Sequence, residues 1–151
     1  MTPYQFSFEK LEVWQLARTL ATDIYKSTKI FPAEEKFLLV SQIRRAVLSV
    51  GANIAEGTTR ATGKDQARFT TIAFSSMMEL FNHLIVARDL GYITEDELTF
   101  YRQKIQPLSV KLSNLKTSQL KRIGKPGLLW LMITAPQVYQ SFSSSFHPLQ
   151  P

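Results

Sequence analysis

The stretch that decides the fold, residues 35–57, reads EKFLLVSQIRRAVLSVGANIAEG. On a helix, which turns about 100° per residue, its aliphatic side chains fall on one face and its polar side chains form a second stripe. The apolar face predicts packing inside a bundle of helices. The ordered polar stripe leaves two interpretations open: it faces water, or it contacts another helix or subunit. Its members are Gln42, Arg45, Ser49, Asn53 and Glu56.

Three more segments show helical periodicity, so the chain is expected to contain four helices joined by short connections. The first helix is predicted over about residues 9–27, the third over about 64–90 and the fourth over about 95–122. The second is predicted to begin just after Pro32, with Glu34 and Glu35 in its first turn. The pattern predicts an all-α, antiparallel up-down-up-down four-helix bundle over residues 1–123.

Local signals mark several boundaries. Gly57 is expected near a helix end that leads into a loop, and Gly91 is a suitable residue just beyond the third helix. Thr94 with Glu97 three residues later is a capping-box pattern for the start of the fourth helix. Pro107 lies inside that helix and removes one backbone donor, which predicts a kink or break.

The last segment, residues 124–151, differs in character from the rest. It opens with Gly-Lys-Pro-Gly, continues with a short apolar run at 128–133, and then holds prolines and a run of serines. This composition predicts a tail with little regular structure.

The bulk composition limits the possible functions. The chain has 151 residues, a formal net charge of +6 and no cysteine, which excludes disulfides, thiolate zinc sites and cysteine nucleophiles. The N-terminal residues do not resemble a signal peptide, and no stretch approaches about 18 consecutive apolar residues. A cytoplasmic location without a membrane span is expected. The positive charge favours acidic partners such as nucleic acid.

Catalytic residues are scarce, so no enzymatic activity and no cofactor are predicted. The two histidines are His83 and His147, and no glycine-rich phosphate loop is present. Glu79 and His83 lie four residues apart on one helical face, but a di-iron bundle site needs Glu-x-x-His on two helices. We therefore expect no metal site, and we expect Glu79 to pair with Arg44 or Arg45.

Basic residues form two groups that the bundle topology brings to one end. The loop between the second and third helices lies near the end of the fourth helix in an up-down-up-down bundle. Such an end is a candidate phosphate-binding surface without base-reading chemistry, and the alternative is a solvated end with scattered charge. The candidate residues are Arg60, Lys64, Arg68, Lys111, Lys116, Lys121 and Arg122.

Several motifs resemble those of a known family. They are LEVWQLA at 11–17, Phe31-Pro32 with Glu35, SQIRRA at 41–46, Ser49, NIAEG at 53–57, Ile72-Ala73 with Ser76 and Glu79, and LGYI at 90–93. The chain resembles, over about residues 8–120, the four-helix-bundle proteins encoded by intervening sequences of 23S ribosomal RNA. The accessory proteins of diversity-generating retroelements are similar in architecture only.

The resemblance implies a ring-like homopentamer without known enzymatic activity. For the retroelement relatives it implies binding to nucleic acid and to a reverse transcriptase. Two features depart from the family pattern: Gly51 stands where an aliphatic residue is usual, and the segment after Ile123 has no counterpart. The motif positions that carry over, as candidates for assembly, are Gln42, Arg44, Arg45, Asn53, Glu56, Gly57 and Glu79.

The expected function is therefore a non-enzymatic homo-oligomer that binds RNA or DNA without strong sequence preference. The alternative is a protein-interaction scaffold, for instance an accessory subunit of a reverse transcriptase. Replacing Arg45 or Asn53 with alanine is predicted to weaken the oligomer more than the fold of the monomer.

Overall fold

The computed structural model describes residues 4–122, which form four α-helices and no strand. The predicted all-α four-helix bundle is confirmed. A 3-10 turn at Ser7–Lys10 precedes the first helix, and a second one at Ala33–Phe37 precedes the second helix. The predicted tail at 124–151 lies outside the described residues. The helices are α1 (Glu12–Ser27), α2 (Leu39–Thr58), α3 (Gly63–Asp89) and α4 (Glu95–Lys121).

The core runs along the bundle axis between the four helices. Helix α2 packs between α1 and α3, and α4 packs between α3 and α1, as short connections between antiparallel neighbours require. Each helix contributes its apolar seam, and burying one such side chain contributes about 1.5–3 kcal/mol relative to leaving it exposed. Side chains at most 1% exposed include Ile24, Ile43, Val47, Val50, Met77, Leu80, Leu84, Leu108 and Leu112.

The connection between α3 and α4 has the predicted caps at both ends. Gly91 adopts a left-handed φ of 76°, and its N–H donates to the carbonyl of Arg88 at 2.9 Å. The N–H of Tyr92 donates to the carbonyl of Ala87 at 2.9 Å, which completes a Schellman motif. At the start of α4, Thr94 and Glu97 form the capping box, with the Glu97 carboxylate accepting from the Thr94 N–H at 2.7 Å.

Helix α2 begins at Leu39, later than the acidic pair after Pro32 predicts. The backbone at Leu38 has φ −106° and ψ −109°, outside the helical region, so the preceding 3-10 turn does not continue into α2. The Glu35 carboxylate instead accepts from the Leu39 N–H at 3.1 Å and from the Tyr92 hydroxyl at 3.1 Å. Helix α1 likewise begins at Glu12, three residues later than predicted.

The predicted break at Pro107 needs correction, whereas Gly57 lies near a helix end as predicted. Helix α4 passes through Pro107 without a break, and because Pro107 is exposed, water can satisfy the carbonyl of Gln103 that lost its donor. Gly57 lies inside the last turn of α2 and is not a left-handed cap. A Cβ atom there would lie 3.2 Å from the Cβ of Phe69, so glycine permits the close approach of α2 and α3.

Helix α3 is long and apolar enough, by length and composition alone, to cross a membrane. Within the bundle it packs against both α2 and α4. Its buried side chains include Ala73, Met77, Leu80 and Leu84. The core helix of a folded bundle can have this same length and composition, and 33% of the apolar window of α3 is buried inside the bundle.

A buried tyrosine joins α4 to α1. Tyr101 is 3% exposed, and its hydroxyl bonds to the hydroxyl of Ser27. On the same two helices, Lys104 pairs with Asp23 at 2.8 Å. Burial raises the pKa of Tyr101 above its ordinary value of 10.0. The unfolded chain therefore loses the phenol proton at lower pH than the folded chain.

This difference predicts a loss of stability in alkaline solution. The contribution of Tyr101 is constant below pH 10.0 and is lost as the pH rises through the higher pKa of the folded protein. Tyr101→Phe should reduce the fall of the unfolding free energy above that pH in a series of urea melts. Tyr4→Phe, at an exposed tyrosine, is the control. The same alkaline fall in Tyr101→Phe and in the unmodified protein would contradict the prediction.

Candidate nucleic-acid interface

The polar stripe of α2 contacts α3. Arg45 donates through Nη2 to Glu79 Oε1 at 2.7 Å, and through Nε to Gln42 Oε1 at 3.1 Å. The predicted partner of Glu79 is therefore Arg45 rather than Arg44. The Arg45 side chain is 67% exposed, and exposed pairs of this kind contribute only about 0–1 kcal/mol.

Further along the stripe, one pair of hydroxyl groups joins the two helices, and Asn53 bonds within α2. The hydroxyls of Ser49 and Ser76 are 2.9 Å apart, and Asn53 donates to the Ser49 carbonyl at 2.8 Å. Part of the stripe, at Arg45 and Ser49, therefore makes a helix–helix contact, whereas the side chains of Gln42 and Glu56 are exposed. Because these bonds lie within one chain, Asn53→Ala can also change the stability of the monomer. Its predicted effect on the oligomer must therefore be measured together with a thermal melt of the bundle.

The start of α3 lies directly against the end of α4, as the topology predicts. A Cβ atom on Gly63 would collide with the backbone carbonyl oxygen of Gln119 and lie 3.6 Å from the Cβ of Arg122. One turn further, Thr70 donates to Gln119 Oε1 at 2.8 Å, and both side chains are buried. These contacts hold the beginning of α3 and the end of α4 in one arrangement.

Around this crossing, five basic side chains are exposed and form no ion pair with any described residue. Lys64 and Arg68 lie one turn apart on α3. The other three lie in the last turns of α4 or, for Arg122, at the residue just after it. We refer to this set as the basic end. Its members are Lys64, Arg68, Lys116, Lys121 and Arg122.

The two other predicted basic residues are already engaged. Arg60 forms an ion pair with Glu56, and its guanidinium lies 4.5 Å from the centre of the Phe69 ring. Lys111 pairs with Glu12 of α1 at 2.7 Å. Because Arg60 and Lys111 are already paired with the carboxylates of Glu56 and Glu12, these two cations contribute less to a phosphate-binding surface than the basic end does.

Acidic side chains gather at the opposite end of the bundle, a feature that the sequence interpretation did not use. Asp89 is the last residue of α3, and Glu95, Asp96 and Glu97 form the first turn of α4. Arg88 pairs with Asp89 at 2.7 Å and with Glu95 at 2.5 Å, and these bonds raise the pKa of Arg88. The net positive charge of the chain is therefore concentrated away from this end.

His83 and Glu79 are the pair considered for a metal site. His83 Nε2 lies 3.7 Å from Glu79 Oε1, and Glu79 is already bonded to Arg45. Within residues 4–122, no group of three or more carboxylate or imidazole side chains is placed to bind a metal ion. The arrangement is an ion-pair cluster on the α2–α3 surface.

A groove of about 600 Å³ lies between α1 and α2. Its floor is formed by small residues of the facing helices, and Leu48, 51% exposed, stands at its edge. Small residues at facing positions on α1 and α2 are the sequence signal from which this groove could have been predicted. The lining includes Trp14, Ala17, Ala21, Tyr25, Leu48 and Gly51.

These features define a four-helix-bundle protein with a basic end and an apolar groove. Residues 9–114 match the family described as 23S rRNA-intervening sequence protein, and the chain belongs to this family. No match is found among curated protein sequences.

A crystal structure from Bacteroides thetaiotaomicron, of a protein with unknown function from the S23 ribosomal protein family, has the same fold. Its TM-score to this chain is 0.64 at 24% sequence identity, and the match covers 70% of this chain and 95% of that chain.

Proposed function

We propose that this protein is a non-enzymatic, homo-oligomeric bundle that binds RNA or DNA through its basic end. The observation that carries the proposal is the presence of five exposed cations around one helix crossing, none paired with a described acid. The chain also has no acidic residue from Leu98 to Arg122. The family name associates its members with a ribosomal RNA intervening sequence, which is consistent with a nucleic-acid partner.

The chemistry of the basic end favours phosphate contacts over recognition of bases. Lysine and arginine side chains that neutralise phosphates release condensed counterions, and this provides affinity without sequence information. The contacts between Gly63 and Gln119 and between Thr70 and Gln119 fix the surface that presents these cations. Weak sequence preference is therefore expected, for either RNA or DNA.

Binding should weaken steeply as salt is added. If all five cations contact phosphates of a duplex, the logarithm of the association constant falls with the logarithm of salt concentration with a slope of about −4.5. Fluorescence anisotropy with a labelled DNA duplex and a labelled RNA hairpin, over a range of sodium chloride concentrations, measures this slope. Absence of affinity for both probes at low salt, or a slope near zero, would contradict the proposal.

The apolar groove between α1 and α2 supports the homo-oligomeric part of the proposal. We propose a second copy of the chain as its occupant, because the motifs of this chain resemble those of ring-forming proteins. The alternative function, a scaffold such as an accessory subunit of a reverse transcriptase, would place another protein in the same groove. The groove combines small residues with exposed apolar side chains, which is typical of surfaces that bind proteins.

Leu48→Lys is expected to lower the molar mass measured by light scattering, since it places a charge at the edge of the groove. Val110→Lys, on an exposed apolar residue of α4 away from the groove, should leave the mass unchanged. Circular dichroism would verify that both variants keep their helices. An unchanged mass for Leu48→Lys would contradict self-association through this groove.

A further inference from the structure

A second, smaller pocket lies at the connection between α1 and α2, away from the basic end. Its volume is about 350 Å³, within the range of small-ligand sites. Three of its lining side chains are cationic and none is acidic. The lining includes Thr28, Lys29, Phe31, Lys36, Val40 and Arg44.

Arg44 is held in one conformation at this pocket. Its Nε donates to the hydroxyl oxygen of Thr28 at 2.9 Å, and its guanidinium carbon lies 4.7 Å from the centre of the Tyr25 ring. Thr28 is only 4% exposed, and its hydroxyl donates to the Ile24 carbonyl at 2.8 Å. A side chain that is already ordered loses little conformational entropy when it binds a ligand.

The positive charge of Arg44 is not neutralised by the described residues. Glu35 lies two residues after Ala33, which lines the pocket. Both carboxylate oxygens of Glu35 are already bonded, one to the Leu39 N–H and the other to the Tyr92 hydroxyl. Across the bundle end, Arg88 pairs with Asp89 and Glu95, and Glu97 caps α4. The guanidinium has five N–H donors, and Nε is the only one engaged with a described residue.

We propose that this pocket binds a phosphate monoester group, with Arg44 as the bidentate ligand. The planar fork of a guanidinium matches two phosphate oxygens, and Lys29 and Lys36 supply the remaining charge. The apolar walls from Phe31 and Val40 exclude water on one side and strengthen these contacts. The dianionic group comes either from a small phosphate ester or from the terminal phosphate of a nucleic acid.

Calorimetric titration with inorganic phosphate and with adenosine 5′-monophosphate, in a chloride buffer of low ionic strength, tests the site. Arg44→Gln should weaken binding by about tenfold or more, because it removes a charge-assisted bidentate contact. Arg44→Lys keeps the charge but lacks the planar fork, so its affinity should lie between that of the unmodified protein and that of Arg44→Gln.

Arg102→Gln is the matched control, since Arg102 is an exposed arginine of α4 whose guanidinium carbon lies 4.8 Å from the centre of the Phe81 ring and which does not line the pocket. Equal losses in Arg44→Gln and Arg102→Gln, or no binding of either phosphate compound, would overturn the proposal. If Arg44→Gln does not fold, the double variant Lys29→Gln/Lys36→Gln, at exposed positions, replaces it, and unchanged binding there also overturns the proposal.

The source of the phosphate is distinguished with oligonucleotides. In a protein whose basic end is neutralised, a 5′-phosphorylated strand should bind more tightly than its 5′-hydroxyl counterpart if the ligand is a nucleic-acid terminus. Equal binding of the two strands, together with Arg44-dependent binding of the monophosphate, supports a small phosphate ester. If the basic end does not bind nucleic acid, the titrations with inorganic phosphate and adenosine 5′-monophosphate are unaffected. The proposal for the basic end and the proposal for this pocket can therefore be refuted separately.

Discussion

Replacing Gly63 with alanine is expected to lower the free energy of unfolding by about 2 to 3 kcal/mol, because the α3–α4 crossing has no space for a Cβ atom. The new methyl group would collide with the backbone carbonyl oxygen of Gln119. A backbone carbonyl cannot rotate away as the end of a side chain can, so the two helices would have to separate. Urea denaturation followed by circular dichroism measures the change.

Gly51→Ala is the matched control, and the opposite sign is expected. The nearest atom to a Cβ at residue 51 is Trp14 Nε1 at 3.8 Å, an ordinary van der Waals contact. Alanine in the interior of a helix is favoured over glycine by about 0.8–1 kcal/mol, so this variant should be more stable. If both variants lose stability equally, close packing at Gly63 is not the reason for its glycine.

Neutralising Lys64, Arg68 and Arg122 with glutamine is expected to reduce affinity for nucleic acid by about a hundredfold at low salt. Each phosphate contact that is lost removes about one unit from the salt slope, so the slope should fall by about three units. The three side chains are exposed and have no described ion-pair partner, so thermal stability should change little. Anisotropy titrations and circular-dichroism melts measure the two quantities.

The control for this triple variant removes the same number of charges elsewhere. Arg18, Lys26 and Arg102 are exposed on α1 and α4 and form no ion pair with a described residue. Their replacement with glutamine should change affinity much less than neutralising the basic end. Because Arg18 and Lys26 line the groove between α1 and α2, light scattering must show that this control keeps the molar mass of the unmodified protein. Equal losses in the two triple variants would assign binding to the net charge of the molecule and would refute a localised interface.

Local chemistry explains which parts of the fold could be predicted. The α3–α4 connection was predictable because its determinants, Gly91, Thr94 and Glu97, lie within a few residues of the bonds they make. The start of α2 was not predicted: Glu35, which accepts from the Leu39 N–H, is also bonded by Tyr92 from 57 residues away. Acidic residues near a helix start do not reveal that one of them accepts a hydrogen bond from a residue in the connection between two other helices.

The candidate site shows the same division. Topology alone brought the start of α3 and the end of α4 together, so the neighbourhood of Lys64 and Arg122 could be predicted. The pairing of Lys111 with Glu12, 99 residues apart, depends on side-chain direction across two helices. Arg44 and Arg45 are adjacent in sequence but about 100° apart on the helix, and this angle sends one to Tyr25 and the other to Glu79.

The separation of charge along the bundle affects the orientation in which the protein approaches a polyanion. The basic residues around Gly63 and the acidic residues around Thr94 lie at opposite ends, so the molecule has a long-axis dipole. In the field of a nucleic acid, such a dipole rotates the basic residues forward during diffusion, and a larger share of collisions is productive. The association rate constant should therefore depend on orientation as well as on net charge, and screening by salt should slow association.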